Sequence, residues 1–214
     1  MQTLIADCGS SWSKIKNLED GEMVIRPTQQ VLRDRELRFQ VATGHLGRDR
    51  ALKYENELIA LAQGSLKLVH EDDFTVVDIG CRDMKFVRFR GRKLRKLDWN
   101  QACGASTGFT LELLGQYYDI AYNKLPVSDD RIPVTCGIFA IERIFDAIIR
   151  GESAEKALSA FVHGIAFNVY NFAQRPELLY VSGGLCANRC FLDTLARYCE
   201  VIPLGRSVLV EGLY

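Results

Sequence analysis

Two cysteines and two aspartates are the residues of this chain whose surroundings could support chemistry. Cys103 lies in NQACGASTGFT at residues 100–110, where a small-residue turn leads into an apolar, helix-periodic run. Cys136 lies in PVTCGIFAIER at residues 133–143, after a proline-led extended approach and before a run in which Phe139, Ile144, Ala147 and Ile148 are spaced for one helical face. Each cysteine therefore heads a predicted helix. The partial positive charge of unpaired N–H groups at a helix start favours thiolate, the form that ligates metal. A free cysteine is equally at home as a small buried hydrophobe, so both readings stand at this point. Asp7 and Asp78 begin a second pattern, D-x-G-x-x-x-x-K, which runs to Lys14 in one copy and to Lys85 in the other. Glycines 9 and 80 at the tips let backbone N–H groups approach phosphate oxygens unobstructed. The two aspartates would face the Mg²⁺ that accompanies phosphates, through waters, because Mg²⁺ gives up its hydration reluctantly.

The elements that position these groups can be read from the apolar pattern. Residues 3–6 form a strand that turns and returns through the alternating residues 15–18; residues 19–22 turn into a third strand at 23–25, closed by Pro27. After the polar residues 33–38 comes a strand at 39–42, then a helix over 54–62 with Gly64 as its stop. The pattern restarts at 74–77, and both D-x-G copies follow an apolar strand and run on into alternating residues. A duplicated strand, tight turn and return strand is the simplest explanation. Downstream, a polar loop covers 123–131, Gly151 breaks the Cys136 helix, and Ser153 caps a long helix over 154–173. A strand at 178–181 ends in Ser182-Gly183-Gly184; a helix at 188–199, a strand at 200–203 and a helix from 207 complete the chain. Gly183 and Gly184 would let an adenine lie flat on the backbone.

Composition limits the alternatives. The 214 residues are 48% hydrophobic, enough for a sizeable core in one large or two small units. Twenty-seven basic and twenty-seven acidic residues cancel, so no global field steers the chain to nucleic acid or an anionic membrane. The start lacks the basic and apolar regions of a signal peptide, and no apolar run approaches the ~20 residues of a membrane helix. The expectation is a cytoplasmic protein with neither membrane nor nucleic-acid contact. The seven cysteines then serve as core residues, metal ligands or catalysts rather than disulfides. Residues 85–96 carry seven basic residues around Phe86, Val87, Phe89 and Leu94. They read as a hairpin with one solvated side in preference to an RNA-binding face, and a docking surface for an acidic partner also fits.

The motifs DCGSSWSK, ATGHLGR, ELIALAQG, DIGCRD, NQACGASTG, VTCGIFAIE and VSGGLCAN together resemble the ATP-dependent activators of 2-hydroxyacyl-CoA dehydratases and benzoyl-CoA reductases. The resemblance covers nearly the whole chain. It implies an α/β, two-lobed actin-like ATPase fold related to ribonuclease H, with a duplicated sheet-and-helix lobe. Residues 1–73 would form the first lobe, completed by a C-terminal helix at 206–214, and residues 74–205 the second. It also implies a homodimer sharing one [4Fe–4S] cluster, with Cys103 and Cys136 as each subunit's ligands. ATP and Mg²⁺ would be held by Gly9, Ser10, Ser11, Ser13, Lys14, Gly80, Asp83, Thr107, Gly108, Gly183, Gly184 and Asn188, with Asp7, Asp78 and Arg82 as the catalytic set. The implied activity is ATP-gated delivery of a low-potential electron, received from a ferredoxin or flavodoxin, to a 2-hydroxyacyl-CoA dehydratase, a benzoyl-CoA reductase or a double-cubane cluster protein. Relatives usually carry a glycine and a glutamine where this chain has Cys81 and Arg82, and Gly-Thr-Gly where it has Ser106-Thr107-Gly108, so hydrolysis is a weaker expectation than ATP binding. The alternatives of another class are a cluster-free small-molecule kinase and an ATP-binding regulatory module.

Overall fold

The computed structural model describes residues 3–100 and 107–214. Among these residues are two five-stranded sheets. The first contains β1 (Leu4–Cys8), β2 (Trp12–Asn17), β3 (Met23–Pro27), β4 (Phe39–Thr43) and β5 (Ala51–Tyr54), in the order β3-β2-β1-β4-β5. The second contains β6 (Phe74–Ile79), β7 (Met84–Arg90), β8 (Lys93–Asn100), β9 (Leu178–Gly183) and β10 (Glu200–Gly205). Its order from the β8 edge, β8-β7-β6-β9-β10, repeats that of the first sheet. In each, an antiparallel meander is joined through its first strand to two parallel strands. The duplication inferred from D-x-G-x-x-x-x-K therefore extends to whole sheets.

Alternation along the strands assigns their faces. Ile5 of β1 and Val76 of β6 share a core with α2 (Glu57–Leu68) and α7 (Val208–Glu211), which lie between the sheets. Ala6 and Cys8 face the other way, toward Val31 of the short helix α1 (Thr28–Arg33). Val77 and Ile79 face a third core built with α3 (Gly108–Tyr117), α4 (Gly137–Ile149), α5 (Ala154–Phe172) and α6 (Arg189–Leu195). The order of layers is thus helix, sheet, helix pair, sheet, helices. Ser153 caps α5 as its sequence indicates, its side chain accepting from the Lys156 amide.

Several boundaries differ from the sequence reading. Residues 51–54 are the edge strand β5, and α2 begins at Glu57 behind the cap Asn56, whose side chain accepts from Leu58 N. Gly64 lies inside α2 and does not stop it: a Cβ there would run into the Val208 carbonyl of α7, so the glycine is the point of helix crossing. The helix expected over 188–199 is shorter, Arg189–Leu195 with Asn188 as its cap. In α4 the buried residues are Gly137, Ala140, Ile144 and Ala147, while Phe139 faces outward. The helix α1 was unanticipated, for it starts behind Pro27 without a side-chain cap. The basic run around the Gly91 turn is largely consumed by structure. Arg88 bonds Thr75, Gln174 and the Ala173 carbonyl, Arg92 bonds three backbone carbonyls, Arg90 pairs with Asp73, and Lys85 is buried. Among the described residues no helix is long and apolar enough to cross a membrane.

Candidate functional site

Each D-x-G-x-x-x-x-K stretch folds so that its aspartate and lysine stand directly opposite on paired strands, Asp7 against Lys14 on β1 and β2, Asp78 against Lys85 on β6 and β7. Both hairpin tips then open onto one cavity of about 580 Å³. Of the residues expected at a nucleotide, Asp7, Gly9, Ser10, Ser11, Lys14, Asp78, Gly80, Arg82, Asp83, Gly108, Gly184 and Asn188 line it. Three lie behind its wall. Ser13 is buried against Thr28, whose hydroxyl donates to the Gly9 carbonyl. Thr107 donates to the Cys81 carbonyl at 2.5 Å. Gly183, at φ +96°, packs its α-carbon on the backbone of Ile79, where no side chain fits.

The two lysines are used differently. Lys14 pairs with Asp7 at 2.7 Å; burial opposes its charge, but Asp7 and Asp78 outweigh burial and raise its pKa. Lys85 turns from its cross-strand partner to Glu57 of α2 at 2.7 Å and to Asp83 at 2.8 Å. Burial works against both charges of the Lys85–Glu57 pair and raises the Glu57 carboxyl. The lysine, with Glu57, Asp78 and Asp83 around it, is held cationic above its usual range in spite of burial. Asp78 accepts from the Ser182 hydroxyl at 2.7 Å, and burial still raises its pKa. A divalent cation entering the cavity would reverse that penalty, which is the sense in which the site fits Mg²⁺.

The structure adds residues that the motifs did not indicate. Trp12, next to the first tip, donates its Nε1–H to Glu112 of α3 at 3.0 Å, and Ser11 donates to the Cys81 thiol at 2.9 Å, so the first hairpin is tied to the second sheet's side of the cavity. Trp99 donates to Asp83 at 2.7 Å, orienting the carboxylate that Lys85 also holds. Asn188 caps α6 through its Oδ1 and with Nδ2 donates to the Tyr122 carbonyl at 2.8 Å, placing Tyr122 on the wall. Glu57 carries a readable signal, an acid in the first turn of a helix; Trp12, Tyr122 and Arg206 carry none.

Cys136 is the N-cap residue of α4, partly exposed and without a side-chain capping bond, at the helix start its sequence indicated. Cys103 lies outside the described residues, and α3 begins at Gly108. The other described thiols are held toward their protonated form. Burial pushes Cys8 and Cys186 up to about 12 and Cys199 to about 11, and raises Cys81 and Cys190. Cys186 and Cys190 donate to the carbonyls of Val181 at 3.0 Å and Pro126 at 3.1 Å. Among the described residues no group of three or more His, Cys, Asp or Glu side chains is arranged to hold a metal within one chain.

No family model matches the chain. The (R)-2-hydroxyglutaryl-CoA dehydratase activating ATPase of Acidaminococcus fermentans is 24% identical, across 87% of this chain and 84% of the relative. Among solved structures, the activator of the 2-hydroxyisocaproyl-CoA dehydratase from Clostridium difficile with bound ADPNP superposes with a TM-score of 0.80 at 21% identity, covering 100% of this chain and 92% of that one. Component A of the Acidaminococcus fermentans (R)-2-hydroxyglutaryl-CoA dehydratase gives a TM-score of 0.76 at 21% identity, covering 100% and 95%. The chain is therefore similar over most of its length to the activating ATPases of 2-hydroxyacyl-CoA dehydratases, as its motifs imply, and its fold is the two-lobed actin-like ATPase fold.

Proposed function

We propose that this chain binds ATP and Mg²⁺ between its two hairpins and serves as an ATP-dependent activator of a 2-hydroxyacyl-CoA dehydratase or a related reductase. The observation that carries the reading is the convergence of both Asp–Lys hairpins on a single cavity, in a chain similar to proteins that are themselves activating ATPases. In this reading the tip amides at Gly9–Ser11 and Gly80 cradle the phosphates, Lys14 and Lys85 supply fixed positive charge, and Asp7 and Asp78 orient the hydrated Mg²⁺. Gly184 and Asn188 form the nucleoside end. The bonds from Ser11 and Trp12 to Cys81 and Glu112 carry a shift of the first hairpin to α3, the helix that follows the Cys103 segment.

The finer part of the proposal is a homodimer with one [4Fe–4S] cluster held by Cys103 and Cys136 of each copy. Its support is the resemblance carried by the NQACGASTG and VTCGIFAIE motifs, together with the place of Cys136, partly exposed at a helix start. A four-thiolate set with two members per chain closes only across a two-fold axis. When bound, such a cluster supplies a low-potential one-electron donor for the partner enzyme. A ferredoxin or flavodoxin would reload it, because a coupling between sites of ~1–3 kcal/mol can shift a potential or a docking geometry but cannot supply the electron.

Iron and sulfide analysis of anaerobically purified protein tests the assignment. About four irons per dimer are expected, from the composition of such a cluster. Cys103→Ser and Cys136→Ser should each abolish iron binding, while Cys186→Ser and Cys190→Ser retain it. Full iron content in the Cys136→Ser protein would end the cluster assignment and leave only nucleotide binding.

A further inference from the structure

Arg206 follows Gly205, whose φ of +82° ends β10, and its side chain lines the cavity. The two lysines of the cavity are ion-paired, Lys14 with Asp7 and Lys85 with Glu57 and Asp83. Arg206 is not. Its Nε is shut off from water with no hydrogen-bond partner among the described residues, and the guanidinium makes no ion pair with any of them. It instead rests over the ring of Trp12, 5.5 Å from the centroid. Arg206 is half-buried, and a permanently charged group on a cavity wall whose Nε is buried without an acceptor is costly to keep, so a site that retains one is prepared for an anion.

The surroundings indicate which anion. Trp12 adjoins Ser10 and Ser11 at the first hairpin tip, and the positive charge of Arg206 is felt at Lys14 as well as at Tyr122 and Cys186. The guanidinium thus stands between the hairpin proposed to cradle phosphates and the wall proposed to hold the nucleoside. We infer that Arg206 is a nucleotide-binding residue that pairs with the polyphosphate of a nucleoside di- or triphosphate, leaving its resting place over Trp12 to do so. This assignment rests on the nucleotide-binding reading above. Arginine suits the task because its planar fork can bind two phosphate oxygens at once and stays charged when enclosed.

The experiment compares adenosine, AMP, ADP and ATP on the wild type and on Arg206→Ala and Arg206→Lys, by calorimetry for the nucleotides and by ligand-observed NMR for adenosine. In Arg206→Ala, affinity for ADP and ATP should fall about tenfold to a hundredfold, the range for losing a hydrogen-bonded charge, with adenosine binding unchanged. Arg206→Lys, which keeps the charge and fills the same space, should recover part of the loss and serves where the alanine protein does not fold. Tryptophan emission should respond to ADP in the wild type, and the response should be reduced in Trp12→Phe to that of Trp99, which also lines the cavity. Equal loss for adenosine and ADP, or no loss for ADP, overturns the assignment of Arg206. A folded wild type that binds none of the four ligands overturns the proposed function itself.

Discussion

Arg82 stands exposed on the second hairpin, two residues after Gly80 and on the cavity wall. A fixed cation there can hold the terminal phosphate by charge-assisted hydrogen bonds in the ground state. Stabilising ground and transition states equally tightens binding without raising turnover, whereas a glutamine at the same place could orient the attacking water. Arg82→Gln is therefore expected to weaken ATP binding by about tenfold, the value of one such bond, and to raise the single-turnover hydrolysis rate. A fall in that rate by orders of magnitude would instead make Arg82 an internal arginine finger. At this scale the sequence was informative wherever the site is built from neighbours along the chain. The aspartate and lysine of each repeat stand opposite because an antiparallel hairpin with a small tip must pair their positions. Tyr122 and Arg206 reach the cavity from separate elements through packing, which no local spacing encodes.

At the scale of elements, the glycines of α2 and α7 show what periodicity leaves out. Gly64 reads as a helix stop because glycine so often is one, but here it meets the Val208 carbonyl, as Gly212 meets that of Ala60. Two helices between two sheets can approach this closely only if both lack a Cβ at the crossing. Gly212→Ala should therefore separate α7 from α2 and cost about 3 kcal/mol, the upper part of the overpacking range, measurable as a fall in the denaturation midpoint. A variant as stable as the wild type would show that the helices can slide apart freely. The outward Phe139 teaches a related lesson. The apolar spacing of α4 marks a helix correctly, but small residues, Gly137, Ala140 and Ala147, share its inner face with Ile144, and Ile138, Phe139 and Ile149 are left outside. The short α1 gave no capping signal and had to be seen in three dimensions.

At the scale of the whole molecule, the outer surfaces of α3 and α4 carry exposed apolar side chains. Ile138, Phe139 and Ile149 of α4 are 63%, 60% and 82% exposed, and Phe109, Leu113 and Tyr117 stand exposed on α3. Three large apolar side chains left exposed on one helix, as on α4, are the kind of surface that marks an interaction site. The occupant proposed is a second copy of this chain, since Cys136 caps the same helix and a cluster shared between copies would bring two such helices together. Sheet duplication and the ties between hairpins organise each subunit internally, so pairing should depend on this face and on the metal rather than on the cavity. Ile149→Lys combined with Phe139→Glu is expected to shift the anaerobic protein from dimer to monomer in light scattering and to lower its iron content, with ATP affinity unchanged. Iron chelation of the wild type should loosen the dimer in the same direction, and less completely, because the apolar contact remains. A doubly substituted protein that stays dimeric with full iron would place the interface elsewhere, and the exposed face of α3 and α4 would then be left for the partner enzyme.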